Sequence, residues 1–370
     1  MNVIITYLLA IGVLLGGIDL LFGNKKGYGR CMEEGFLLMG PTALSMVGMI
    51  CLIPMISSFL QKLIVPIFQL LNLDPAILGG FLAIDMGGFQ LAKSLEMDPI
   101  VGTYAGIVLS ATFGCTLVFT IPIGMGMIQA EDRPIFAKGI LIGLITLPVG
   151  AVIGGIACGL SIYEVVKESI PIFFLSIVLG VGLFKIPKKM MKGFEAFSFG
   201  IKLLINLGLI VGAFTYLTKI EWIKGLTPIE EALEIVASIG ITMLGSLPLA
   251  EFLRRLLKRP CLWLGEKIGM NETSIAGLLI GMVSVIPQIT MIKDMDPLGK
   301  LVNVAFMVCA ASTFAAHIGF TMSEEPSAVT ALLLAKLLGA FVAAVVAIFV
   351  VKYSKNENDR NEERKSRCLR

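Results

Sequence analysis

In the stretch LGGFLAIDMGGFQLAK, Leu78 to Lys93, one carboxylate, Asp85, stands among apolar residues between the pairs Gly79, Gly80 and Gly87, Gly88. Placing a lone carboxylate inside a bilayer costs at least ~2.5 kcal/mol on the insertion scale, so Asp85 needs a partner, water or a ligand. The chemistry it offers is recognition of a cation. Phe81, Phe89 and Phe119 add ring faces that attract an ammonium group, worth roughly 0.5 to 2 kcal/mol each. Gln90, Thr112 and Thr116 add neutral groups that can bond a hydroxyl or an amine. Two other readings of Asp85 stay open: an internal ion pair with Lys93 or Lys336, or a cap on a helical turn. Lys336, in SAVTALLLAKLLGA, either partners Asp85 or reaches the membrane surface along its apolar stem.

The second half of the chain holds a further set. His317, in CAASTFAAHIGFTM, is a candidate for proton sensing or for a hydrogen bond to a substrate, and equally for packing. Ser284, Gln288 and Asn303 are candidates to line the other half of a binding cavity. Glu34, near a helix end, joins Lys93 and Lys336 as a candidate gating or charge-partner residue. No catalytic set is expected: His317 is the only histidine, and the seven cysteines show no CxxC spacing. No cofactor and no metal are expected either.

What must position these residues is a membrane bundle. Over 370 residues the chain is 56% hydrophobic and 15% charged, with mean hydropathy +0.89. Several runs carry no Asp, Glu, Lys or Arg, among them 35–61 and 100–130, each long enough to cross a bilayer as helix. The reading is an all-α polytopic protein with nine crossings, near 3–22, 35–60, 100–128, 139–161, 170–185, 202–218, 233–250, 300–321 and 328–351. Two segments broken by glycine, proline and polar residues, 75–92 and 273–292, are expected as re-entrant hairpins; as single crossings they would make eleven. The N-terminal run lacks a basic leader and a cleavage site, so it reads as a retained helix.

Basic residues set the orientation, because cytoplasmic loops hold the excess. Lys25, Lys26 and Arg30, then Arg133 and Lys138, then Lys185, Lys188, Lys189 and Lys192, then Arg254, Arg255, Lys258 and Arg259, form four basic loops on one side. The N-terminus is thus expected outside and the C-terminus inside. The transmembrane domain is expected to span 1–352, followed by a charged cytoplasmic tail, 353–370, whose mixed signs imply no nucleic-acid face.

The chain also repeats. EEGFLLMG at Glu33 and EEALEIVA at Glu230 each open an apolar helix, and KSLEMDP ending at Pro99 matches KDMDP ending at Pro297. Units near 33–129 and 230–327 share the order helix, polar linker, broken segment, Met-Asp-Pro, helix. An odd number of crossings separates them, which inverts the second unit and is a transporter signature. Backbone that leaves helical geometry at membrane depth survives only beside protein or water, so the broken segments mark a cavity. The small-residue runs GTYAG and GAVIGGIACG are expected to pack helices closely.

Taken in order, EEGFLLMG with ALSMVGM, then DMGGFQLAK, then TLVFTIPIGMGMI followed by EDR, and GKLVNVAFMVCAA running to HIGF, resemble the EutH family of bacterial ethanolamine permeases over roughly residues 30–340. The resemblance implies a multi-pass carrier of the bacterial inner membrane, with ethanolamine as partner and homo-oligomerisation left open. It places Glu34, Asp85, Gly87, Gly88, Lys93, His317 and Lys336 among the functional candidates. This chain departs from the family pattern at Ala316, where relatives tend to carry an acid, and at Ser284 and Val285, where they tend to pair asparagines. Two other functions compete: a channel or permease for another small amine or polar solute, and a membrane-embedded enzyme acting on lipid head groups.

Overall fold

The computed structural model describes residues 2–368, without the side chains of residues 2, 184, 187, 191 and 353–368; the charged tail expected at 353–370 lies outside the described side chains. Among the described residues there is no strand, and nine helices are long and apolar enough to cross a membrane. They are α1 (Val3–Leu21), α2 (Tyr28–Leu63), α3 (Pro99–Met127), α4 (Ala130–Cys158), α5 (Ile162–Leu183), α6 (Lys188–Thr218), α7 (Ile229–Ile268), α8 (Pro297–Glu324) and α9 (Pro326–Lys352).

Local chemistry fixes several of their ends. Asp98 and Asp296 cap α3 and α8, each accepting a backbone N–H of the first turn, with proline at the first helical position. Ser161 and Glu164 form a capping box at the start of α5, and Gly159, at φ 108°, ends α4.

The largest departure from the sequence reading is α7, which runs 40 residues where a crossing at 233–250 was expected. Arg254, Arg255, Lys258 and Arg259 therefore lie on a helix and not in a loop. The reason is local: Glu251 pairs with Arg254 and Arg255, each at 2.6 Å, so the turn beyond the apolar run stays helical.

Packing centres on α4, which lies against α5, α8 and α9, while α7 lies against α1, α2 and α8. Gly150 and Gly154 of α4 meet Ala335 and Gly339 of α9 so closely that a Cβ at Gly150 would stand 2.6 Å from the Ala335 carbonyl oxygen. With lipid outside, such close backbone approach rather than apolar burial holds helices together. α3 and α8 are the most enclosed of the nine helices, and α6 and α1 the least.

The two interrupted segments fall where the sequence places them. Between α2 and α3 the chain makes tight 3-10 turns at Pro75–Phe81 and Ile84–Met86, then a short helix, Gly88–Leu95. Between α7 and α8 it makes two short helices, Glu272–Gly281 and Val285–Met291, and a closing turn, Ile292–Asp294.

A carboxylate ties the base of each. Asp74 accepts the N–H groups of Ala76 (2.8 Å), Met97 (3.0 Å) and Asp98 (2.8 Å), joining both ends of the first segment. Asp296 accepts from Asn271 N (2.8 Å), Ser274 Oγ (2.6 Å) and Gly299 N (2.9 Å), joining both ends of the second. The first base is bonded to Glu168 on α5, just past the C-terminal end of α4, through Asp74 N at 2.7 Å. The second lies by the N-terminal end of α4, where Asp132 pairs with Lys300 at 2.6 Å.

Candidate functional site

Asp85 sits on the turn Ile84–Met86, half-buried. The next residue, Gly87, has φ 87°, a conformation natural to glycine, and a Cβ there would also press on Met49. The turn is held against α3: Ser110 Oγ donates to the Gly79 carbonyl at 2.8 Å, and Gly114 leaves room for the Leu82 carbonyl. The glycines that bracket Asp85 thus both reverse the chain and let it lie directly on a helix.

α3 and α8 change their winding at related places. Tyr104–Gly114 and Thr116–Thr120 of α3, and Thr313–His317 of α8, are π-helical. Thr116 lies 17 residues beyond Pro99, and Thr313 lies 16 beyond Pro297. Such windings shift the backbone bonding register and cluster at functional sites. In α8 the break is sharp: Ser312 has φ 54°, and the N–H groups of Ser312 and Phe314 donate to the Gly281 (3.1 Å) and Met282 (2.9 Å) carbonyls of the second interrupted segment. The Asp85 turn contacts Thr313–His317. Val283 packs on the cluster containing Ile84, Phe89, Ala315 and Phe320, so the two segment tips meet at one place.

Around that place lies a set of polar groups enclosed by helices. Lys336 of α9 is fully buried and donates from Nζ to the Ala111 carbonyl of α3 at 2.7 Å. Among the described residues it makes no ion pair with Asp85. His317 is also buried, and its Nδ1 has no hydrogen-bond partner. Phe89 meets Phe320 edge-on with ring centroids 5.8 Å apart, and the Nε2 of the next residue, Gln90, approaches Glu324 Oε2 at 3.4 Å, leaving Gln90 Oε1 buried without a partner. Phe119 and Met86 share the wall of a cavity of about 480 Å³. A half-buried carboxylate, aromatic rings and two unpaired buried acceptors, Gln90 Oε1 and His317 Nδ1, thus lie about this place.

Not every candidate joins this centre. Thr112 spends its hydroxyl on the Val108 carbonyl of its own helix at 2.7 Å, while Thr116 reaches across to the Val308 carbonyl at 3.0 Å and ties α3 to α8. Gln288 and Asn303 bond each other at 3.0 Å, and Asn303 also donates to the Ser274 and Gly299 carbonyls, a fully buried network inside the second unit; Gln288 Oε1 remains unpaired. Ser284 is half-buried at the turn between the two short helices.

Lys93 pairs with Glu96 at 2.7 Å rather than with Asp85, one of the two partners left open for that carboxylate. Glu34 is exposed and pairs with Arg30 one turn away. Phe81 packs edge-on against Phe113. Sequence reasoning missed Asp74, Asp296 and Glu324. The Asp-Pro steps at 74–75 and 296–297 were a usable signal for the first two; for Glu324 there was only its position at a helix end. Among the described residues no three His, Cys, Asp or Glu side chains converge as a metal site requires.

Residues 1–350 match the family model for EutH, described as an ethanolamine utilisation protein. The chain belongs to the EutH family. It is 38% identical to a probable ethanolamine permease EutH of Listeria monocytogenes over 363 residues, 98% of this chain and 97% of the relative. It is 32% identical to the protein of the same name from Escherichia coli over 389 aligned positions, 95% of each. No solved structure matches the chain. The EutH match runs from α1 into the last turn of α9 and includes both interrupted segments.

Proposed function

We propose that this chain is a permease of the bacterial inner membrane that takes up protonated ethanolamine, and that Asp85 recognises the ammonium. The observation that carries the reading is the half-buried Asp85 carboxylate on a glycine-bracketed turn, where both interrupted segments and the α8 break converge. Two relatives named probable ethanolamine permease, each aligned over nearly its whole length, support the substrate.

In this reading the buried Lys336 ammonium balances Asp85 when the site is empty, and the substrate ammonium takes over that role when bound. Phe89 and Phe119 supply ring faces, and Gln90 and His317 receive the hydroxyl. The interrupted segments are re-entrant hairpins from opposite faces. That is supported by bases tied shut by Asp74 and Asp296 at opposite ends of α4. Movement of one unit against the other then exposes the centre to each side in turn.

The orientation places the α4 end that carries Asp132 in the cytoplasm. In support, basic residues cluster there, and Arg255 of α7 lies over the Tyr28 ring of α2 at 4.6 Å, bringing two of the four basic junctions together.

Uptake of radiolabelled ethanolamine into proteoliposomes, with choline and ammonium as competitors, tests the substrate. Saturable uptake competed by unlabelled ethanolamine is expected. Uptake equal to that of protein-free vesicles would end the reading.

A further inference from the structure

We propose that the cavity beside Met86 is the cytoplasmic-side vestibule of the ammonium pathway, and that Glu195 is its second carboxylate, receiving the amino alcohol after Asp85 releases it. The proposal rests on the permease reading above and adds a binding position to it.

The cavity of about 480 Å³ runs between α3 and α6. Its far wall includes Met86, next to Asp85, and Phe119. Its near wall is α6, where Glu195, Ser198 and Lys202 all line the space. Spaced i, i+3 and i+7, these three share one helical face, and that face borders the cavity.

The stripe stands where α6 enters its apolar run. α6 spans 31 residues, about 46 Å, more than the ~30 Å hydrocarbon core, and Lys202, which is exposed, precedes the charge-free stretch 203–218. A charge at that edge faces a water-filled space or a partner rather than hydrocarbon. Glu195 is exposed as well, and neither residue belongs to an ion pair among the described residues. A hydrated cavity satisfies both groups without a partner.

The arrangement is also one-sided. Toward the Glu324 end, the Asp85 turn is covered by the Phe89 and Phe320 rings and by the Gln90 contact with Glu324. Toward the end bearing Lys188, Lys189 and Lys192, the path from Met86 passes Lys202, then Ser198, then Glu195. A cation leaving Asp85 in this direction meets one further carboxylate before bulk water, and that is Glu195.

The test is thiol accessibility in membrane vesicles of both orientations. Ser198→Cys should react with a membrane-impermeant maleimide from the cytoplasmic side only, above the wild-type cysteine background. Ethanolamine should slow that reaction at least threefold. Phe197→Cys, on the neighbouring apolar face, should stay unreactive; if Ser198→Cys does not fold, Glu195→Cys reads the same face. Glu195→Gln should raise the KM measured from the cytoplasmic side more than the KM measured from outside.

No reaction at Ser198→Cys, as when lipid or a second copy covers α6, overturns the vestibule. Reaction without slowing by ethanolamine, in protein that transports it, overturns the pathway assignment. Absence of ethanolamine uptake by the wild type instead sinks the permease reading, and the labelling pattern separates the two failures.

Discussion

Gly114→Ala tests how the Asp85 turn is seated. A Cβ at Gly114 would overlap the Leu82 carbonyl oxygen and stand 2.9 Å from the Gly80 carbonyl oxygen, and neither backbone group can rotate aside. Exchanging glycine for alanine within a helix gains about 1 kcal/mol of propensity. Overpacking against backbone costs about 1–3 kcal/mol, so the net effect on stability is a loss between zero and about 2 kcal/mol. The effect on transport is larger. Asp85 follows Leu82 by three residues, and displacing the turn breaks its contact with the substrate ammonium. Loss of one charge-assisted hydrogen bond, about 1.5–3 kcal/mol, corresponds to a rise in KM of roughly 10- to 150-fold.

The assay is uptake by proteoliposomes matched for folded protein, with Gly126→Ala as the control. Gly126 has nothing within 4 Å of a new Cβ, so its variant should gain stability and transport normally. If Gly114→Ala transports with the wild-type KM, the turn is not fixed against α3 and the account of the site's geometry fails.

Two further outcomes follow from buried and capping charges. Lys336→Met should abolish uptake, because it removes the buried positive charge that balances Asp85 in the empty site; combined with Asp85→Asn in a double-mutant cycle, strictly additive effects in thermal unfolding would show the two charges to be independent. Asp296→Ala should cost about 2–4 kcal/mol, from the lost helix cap and a buried Ser274 hydroxyl left unpaired, and nearer the lower figure because the carboxylate is partly solvated. Burial pushes the Asp296 carboxyl up, but bonds from Ser274, Asn271 and Gly299 outweigh it and hold the group below its usual range. Its stabilisation is therefore complete above the unfolded value near 3.9 and is lost as pH falls through the folded value. The stability gap between wild type and Asp296→Ala should stay constant above pH about 5 and shrink below about 4; a gap that widens in acid would contradict the assignment.

Nine crossings were legible because lipid demands long apolar runs, and such runs survive in the sequence as a plain absence of charge. The far end of α7 was not, since its last turns are held by Glu251 with Arg254 and Arg255, and hydropathy reads that pattern as a loop. Asp85 stood out as a charge in apolar surroundings. Its neighbours were harder to assign: Lys93 and Lys336 looked equally able to pair with it, and only the three-dimensional path sends Lys93 to Glu96 and buries Lys336 beside Ala111. The π windings of α3 and α8 leave no mark in composition, because they alter which carbonyl each N–H meets and not which residues are apolar. Glu195, Ser198 and Lys202 formed a readable i, i+3, i+7 stripe, but it gained meaning only beside the cavity at Met86.

The central claim, that Asp85 recognises the ammonium of ethanolamine, is tested most directly by radiolabelled ethanolamine uptake into proteoliposomes carrying wild type or Asp85→Asn at equal amounts of folded protein. The account predicts saturable uptake by the wild type and its loss in the variant, which keeps the shape of the side chain and removes its charge. Unchanged uptake by Asp85→Asn would contradict it.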